Sequence, residues 1–280
     1  MKFHKINGTG NDFIIINNMD GGLSADTLSR MAAKLCERHM SIGADGLMAV
    51  SPSERADFRM EFFNSDGSAG EMCGNGARCI CRYGYEMGLS GEMQTVETAS
   101  GTVTGRRIDK RLYKIRLTDP TVVKADYRIE LDGVSCECGY VELGDPGLPH
   151  AVIHMPGLRA AEPRQIFDMA RRLRWHPAFP KGANVNFYEV TGENSVFERT
   201  FERGVEDFTY ACGTGTASVA LILTLKGVSS GRGFTADMTG GRLIVDVERE
   251  GERTALYLTG PTNIVAAGEI LDEELYSCCG

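Results

Sequence analysis

An internal repeat constrains this chain more than any other feature. Cys73 opens Cys-Gly-Asn-Gly-Ala and Cys212 opens Cys-Gly-Thr-Gly-Thr, 139 positions later. The same ungapped spacing pairs Gly8 with Gly147, Ile14 with Ile153, Gly43-Ala44 with Gly182-Ala183, Phe58 with Phe197, Phe62 with Phe201, Gly88 with Gly227 and Gly101 with Gly240. Overall identity between the halves is low, but the matches fall on turn glycines and on the cysteine motif, as two copies of one fold require. The chain is therefore expected to form two similar lobes, and 280 residues give each a core of its own.

Each half predicts the same succession of elements. An extended start breaks at Gly8-Thr9-Gly10-Asn11-Asp12 and resumes as the apolar, β-branched run Phe13-Ile14-Ile15-Ile16, which reads as strand, glycine turn and buried strand. Ser24 is placed to cap a helix whose stripe is Leu28, Met31, Ala32 and Leu35. In the second half Pro163 starts the equivalent helix, with Ile166, Met169, Ala170 and Leu173 as its stripe. Strands are expected at 47–50 and 185–190, then at 58–63 and 197–201. The last pair deliver Asn64 in one half and Glu202 and Arg203 in the other, and the ungapped spacing sets Asn64 against Arg203. Helices follow the cysteine turns at 77–87 and 216–226, stopped by Gly88 and Gly227. The second is apolar nearly all round and should be buried at the middle of its lobe. Alternating runs beyond each helix complete a sheet. The expected lobes are 1–118 and 119–261, with the tail 262–280 returning to the first and the active site in the cleft between them.

A net charge of -8 disfavours a nucleic-acid or anionic-membrane surface, and a small molecule is the expected partner. The N-terminal stretch lacks a long apolar core followed by a small-residue cleavage site, and no window holds 18 uninterrupted apolar residues. A cytoplasmic location is expected. Nine cysteines are odd in number and sparse at this length, which suits reduced thiols. The spacings Cys79-x-Cys81, Cys136-x-Cys138 and Cys278-Cys279 match no paired zinc-ligand pattern, so no metal is expected. Cys36, Cys79 and Cys81 read as packing residues.

The chemistry follows from placing a cysteine at each helix start. Unpaired N–H groups and the positive end of the helix dipole make a carboxylate site, and the glycines let the backbone approach it. The same field draws a thiol's pKa down from about 8.5, so one sulfur is thiolate while the other remains thiol. Such a pair removes the α-proton of an amino acid from one face and returns one on the opposite face. Blander readings compete. A cysteine at a helix start is often mere packing, Cys-Gly-x-Gly can cradle a phosphate, Gly8 to Asp12 can be an ordinary turn, and Glu202-Arg203 can be a solvated pair. A thiol-redox switch joining Cys73 to Cys212, or a small-ligand binding module, is the non-enzymatic alternative. Packing, however, does not call for a cysteine twice at matching positions.

Several longer runs are similar to those of the diaminopimelate epimerase family: Gly8-Thr9-Gly10-Asn11-Asp12-Phe13, Gly43-Ala44-Asp45-Gly46, Phe63-Asn64-Ser65-Asp66-Gly67, Met72-Cys73-Gly74-Asn75-Gly76-Ala77-Arg78, Pro149-His150-Ala151-Val152, Asn184-Val185-Asn186-Phe187, Glu202-Arg203-Gly204-Val205 and Ala211-Cys212-Gly213-Thr214-Gly215. They span nearly the whole chain in the family's order. The resemblance implies an α+β fold of two pseudo-symmetric lobes, each a β-barrel-like sheet around a central helix, often paired as a homodimer. It implies interconversion of LL- and meso-diaminopimelate in lysine and peptidoglycan precursor synthesis, without PLP, another cofactor or a metal. Carried over by motif, Cys73 and Cys212 are the acid/base pair, His150 is the partner of Cys73 and Glu202 that of Cys212. Asn11, Asn64, Asn75, Asn184 and Arg203 resemble the substrate-binding set, and Gly74, Gly213 and Thr214 offer backbone or hydroxyl donors. Arg203 suits a bidentate hold on the distal carboxylate. The chain departs from the family at Leu148, where Gly-Asn-Pro-His is usual and an amide is lost, a change worth about 1 to 3 kcal/mol. Another amino-acid racemase on this scaffold, such as a histidine racemase, is the alternative that departure raises.

Overall fold

The computed structural model describes residues 1–70, 73–251, 253–271 and Leu275. Cys278 and Cys279 lie outside the described residues, as does most of the segment beyond Leu271. The chain forms two compact units, Met1–Ile115 with the segment from Gly260 onward, and Arg116–Thr259.

The first unit contains β1 (Lys2–Gly8), β2 (Asn11–Asn17), α1 (Ala25–Leu35), β3 (Gly46–Ser51), β4 (Phe58–Asn64), α2 (Gly74–Glu86), β5 (Met93–Thr98), β6 (Gly101–Arg107) and β7 (Leu112–Arg116). The second contains β8 (Pro120–Leu131), β9 (Val134–Leu143), β10 (Leu148–His154), α3 (Pro163–Arg174), β11 (Asn184–Gly192), β12 (Ser195–Phe201), α4 (Gly213–Leu225), β13 (Phe234–Met238), β14 (Gly241–Glu250) and β15 (Arg253–Pro261). β16 (Asn263–Glu269) pairs with β1 in the first unit. Strand order there is β16-β1-β2-β3-β4-β5-β6-β7, and in the second unit β8-β9-β10-β11-β12-β13-β14-β15. The fold is α+β, with one topology used twice.

Each sheet is mixed, and the parallel pairs decide where the helices go. β2 runs parallel to β3 and β4 to β5, as β10 does to β11 and β12 to β13. Parallel neighbours require a crossover, and α1, α2, α3 and α4 are those crossovers. α1 starts where the Ser24 hydroxyl accepts from the Thr27 N–H, and it buries Leu28, Met31, Ala32 and Leu35. α3 starts with Pro163 inside a reciprocal Glu162–Gln165 cap and buries Ile166, Ala170 and Leu173. α2 and α4 are the central helices, buried through Gly74–Gly84 and nearly all of 213–223. α2 packs on β1, β2 and β6, and α4 on β9, β10, β11 and β14. Both start three residues before the expected helical runs, because the Cys-Gly-x-Gly segment is itself the first turn.

Strand pairing corrects the ungapped repeat. Met48 faces Phe62 and Val50 faces Met60 on β3 and β4, while Asn186 faces Thr200 and Tyr188 faces Glu198 on β11 and β12. Phe58 is fully buried and pairs with Val96, as buried Val196 pairs with Ala236. The counterparts of Phe58, Phe62 and Asn64 are therefore Val196, Thr200 and Glu202, one residue earlier than the expected Phe197, Phe201 and Arg203. Likewise Phe13 pairs with Gly46 as His150 pairs with Asn184, so His150 stands where the first unit has Phe13. Loops of unequal length absorb the slips, and α2 and α4 alone keep the full 139-residue spacing.

Candidate active site

Each cysteine sits at a βα junction. Cys73 and Cys212 are extended N-cap residues of α2 and α4, and neither helix start has a side-chain cap. The first intrahelical bonds run from Ala77 N–H to Cys73 carbonyl at 2.8 Å and from Thr216 N–H to Cys212 carbonyl at 3.0 Å. In both helices the N–H groups of the glycine-flanked first turn precede that bond, which is the arrangement that receives an anion.

In the first unit, the β1–β2 turn and the start of α2 are tied together. The Asn75 amide donates to the Asn11 carboxamide oxygen, and Asn11 in turn donates to Asp45 at 3.1 Å. Asp45 and Asp12 share the Arg38 guanidinium, and Lys5 reaches Asp12 at 2.9 Å. Those cations hold Asp12 below the usual carboxylate range against the effect of burial, which is the largest influence and acts upward. Gly8 permits the approach, since an added Cβ would come within 2.8 Å of Cys79 Sγ. Asn64 lies exposed at the end of β4 and donates to Ser68 at 3.0 Å. The sequence-based site set did not include Arg78. It is wholly buried on α2, donating to the Thr9 hydroxyl at 2.9 Å, the Asn75 carboxamide oxygen at 2.7 Å and the Gly74 carbonyl at 3.2 Å. Burial lowers its pKa to about 10, and the charges of Cys79 and Cys73 act in the opposite direction. Its place at the end of the run Cys73-Gly74-Asn75-Gly76-Ala77-Arg78, which carries part of the family resemblance, is the one sequence signal that points to it.

In the second unit, Cys212 is buried with its Sγ 3.5 Å from the Thr214 hydroxyl. The Glu202 carboxyl accepts from the Thr209 hydroxyl at 2.6 Å, and its charge acts on the Cys212 thiol. Burial raises the Glu202 carboxyl and pushes the Cys212 thiol well above its ordinary value. The charge of Glu202 adds to the thiol's shift and outweighs the Gly215 N–H that favours thiolate. At Cys212 desolvation and a neighbouring carboxylate thus outweigh the field of the helix start. Asn184 is occupied at both ends, donating to the Pro149 carbonyl at 3.2 Å and accepting the Arg203 N–H at 2.8 Å. It thereby sets the loop that presents Arg203, whose guanidinium donates to the Lys181 carbonyl at 3.3 Å. His150 is wholly buried on β10, and burial lowers it to about 3. Gly213 is buried and Thr214 half-buried in the first turn of α4. Cys36, Cys79, Cys81 and Cys138 are buried, and burial holds each thiol near 12.

The diaminopimelate epimerase family model matches residues 3–116 and 144–265. The chain belongs to the diaminopimelate epimerase family. The diaminopimelate epimerase of Aquifex aeolicus is 33% identical over 285 residues, covering 98% of this chain and 99% of that one. That of Archaeoglobus fulgidus is 36% identical over 287 residues, with 98% and 97% covered. Solved structures show the same fold at lower identity. A phenazine biosynthesis protein of the PhzF family from Bacillus anthracis superposes with a TM-score of 0.73 at 17% identity, covering 97% of this chain and 99% of that one. A probable proline racemase from Agrobacterium radiobacter K84 gives 0.71 at 15%, covering 98% and 95%. This member of the family is an isomerase, an amino-acid epimerase.

Proposed function

We propose that this epimerase interconverts LL- and meso-2,6-diaminopimelate, with Cys73 and Cys212 as the two bases and no cofactor. The carrying observation is that both units place a cysteine, without a side-chain cap, at the N-terminus of their central helix. The reaction requires the two sulfurs to reach opposite faces of one α-carbon. One removes the proton, N–H groups at the helix starts hold the carboxylate as charge develops on it, and the other sulfur delivers a proton. Burial and Glu202 favour Cys212 as the thiol that donates. In the reverse direction Glu202, whose charge already acts on Cys212 and whose carboxyl is raised by burial, is suited to receive its proton. Cys73 then starts as the base, in the turn that buried Arg78 braces through Gly74 and Asn75. Arg203 is suited to the distal carboxylate, and Asn11, Asn64 and Asn75 to the polar groups between the two ends.

Leu148, at the start of β10, favours a second reading, in which a different amino acid fills the distal end. Proton NMR of the reduced, PLP-free protein in heavy water separates the two. Loss of the α-proton signal of LL-diaminopimelate with appearance of the meso isomer supports the first. Exchange confined to histidine or another single amino acid supports the second, and no exchange with any of them overturns both.

A further inference from the structure

Beneath the first turn of α4 lies a set of buried polar side chains that the mechanism above leaves unused. Asn186 and Glu198 are wholly buried and Thr200 is nearly so, and His150 lies in the same network. At the matching register positions the first unit has Phe13, Met48, Met60 and Phe62, with Phe13 and Phe62 in edge-to-face contact. The same topology therefore packs well with apolar side chains there. Burying polar groups in their place costs stability unless their hydrogen bonds are made, so packing alone does not account for them.

The hydrogen bonds of Asn186 have one consistent reading. Its Nδ2 lies 3.0 Å from the Ala151 carbonyl and 3.4 Å from the Asn184 carbonyl, and main-chain carbonyls only accept. Those two contacts fix which end of the carboxamide is nitrogen. Its Oδ1 lies 3.0 Å from the Thr200 hydroxyl, which can donate to it. The same Nδ2 lies 3.3 Å from His150 Nδ1, nearer than the Asn184 carbonyl that competes for its second hydrogen. An amide nitrogen accepts nothing from a ring N–H, so this contact is a hydrogen bond only with the ring nitrogen's lone pair facing it. The ring's proton then sits on Nε2, which is buried and has no hydrogen-bond partner among the described residues. Gly215 makes room for this amide, since an added Cβ would come within 2.1 Å of Asn186 Oδ1.

We infer that Asn186 is a positioning residue for the epimerase reaction, fixing His150 as the neutral Nε2–H tautomer and so making it a hydrogen-bond donor rather than a proton acceptor at Nε2. In catalysis this rests on the reading of His150 as the partner of Cys73: a donor steadies a thiolate and takes no proton from a thiol. Burial agrees, keeping the ring uncharged far below neutral pH.

The test is ¹⁵N NMR of the full-length reduced protein carrying labelled imidazoles, with His150 assigned from the signals lost in His150→Gln. The expected result is a pyridine-type Nδ1 and a proton-bearing, pyrrole-type Nε2, unchanged across the range where an exposed imidazole titrates. A proton on Nδ1, or an imidazolium at neutral pH, overturns the inference. Asn186→Asp, once ionised, puts an acceptor at Nδ1. It should move the ring proton to Nδ1 and lower kcat about 10²-fold or more with little change in KM. Asn186→Met, which installs the first unit's residue, should leave a mixture of tautomers. If either variant fails to fold, the wild-type spectrum still decides. A folded Asn186→Asp enzyme with wild-type kcat overturns the positioning role. The α-proton exchange assay is independent of these spectra: exchange with the other tautomer sinks only this inference, and the expected tautomer without exchange sinks only the catalytic reading.

Discussion

The two units use one topology and put the ionisable part of the polarity buried around the central helix in opposite places. In the first, the central helix carries it: Arg78 and Arg82 are buried on α2, against a sheet face of Phe13, Met48 and Met60. In the second, α4 has Ala217 and Leu221 at the matching helix positions, and the strands carry His150, Asn186, Glu198 and Thr200 instead. Cys73 therefore shares its helix turn with a buried cation, whereas Cys212 lies in the field of Glu202 and Glu198. Two chemically identical groups at matching junctions are thus made unlike by what lies beneath them, as the proposed two-base exchange requires.

The largest expected effects test whether both cysteines are needed. Cys73→Ala and Cys212→Ala should each lower inversion by about 10⁴-fold or more, read from meso-diaminopimelate formation. Full activity in either variant would end the two-base reading.

Glu198 sharpens the contrast through pH. Its carboxyl is pushed up to about 8 by burial, from an ordinary 4.5, so folding favours the protonated form. Its contribution is complete below pH 4.5 and is lost as pH rises through about 8. His150 has the opposite sign: lowered to about 3 from 6.5, it contributes fully above pH 6.5 and loses that contribution as pH falls through about 3. The stability of wild type from urea unfolding should therefore fall by about 1 kcal/mol between neutral pH and pH 8, the last part of a loss of a few kcal/mol that begins near pH 4.5. Glu198→Gln should flatten that slope. An unchanged slope would mean that Glu198 is ionised in the folded protein.

Arg78→Ala gives the first unit the residue the second has at Ala217. It should cost about 2 to 4 kcal/mol, since Thr9 and Asn75 lose a buried donor and a cavity is left. Urea unfolding measures it, and a loss under about 0.5 kcal/mol would show that the cation contributes nothing to the fold. The smallest effect separates two equivalent glycines. An alanine Cβ at Gly76 meets its nearest neighbours at 3.5 and 3.6 Å, but at Gly215 it meets Asn186 Oδ1 at 2.1 Å. Gly76→Ala should be neutral or stabilise by up to about 1 kcal/mol, and Gly215→Ala should destabilise. Equal melting shifts would show that Asn186 moves aside without cost.

Much of this was legible along the chain. Turn glycines, the helix stripes of α1 and α3, and the cysteines at helix starts are local patterns, governed by residues a few positions apart. The influence of Glu202 on the Cys212 thiol spans ten residues of sequence, and motif resemblance by itself suggests the pair. The buried Arg78 was hidden because its partner Thr9 lies 69 positions away, and a basic residue on a helix ordinarily reads as surface.

The sequence by itself determined that one βαβ-rich topology is used twice and that each copy presents a thiol at the start of its central helix. Those features depend on local periodicity and on glycine placement, which a linear reading captures. Only the tertiary structure decided the register that sets Asn64 against Glu202, the amide that orients His150, and the unlike surroundings of the two sulfurs. Register is fixed by pairing between distant strands, and a slip of one residue turns every side chain to the other face. Burial then sets which groups hold their protons, and burial is a property of the packed chain.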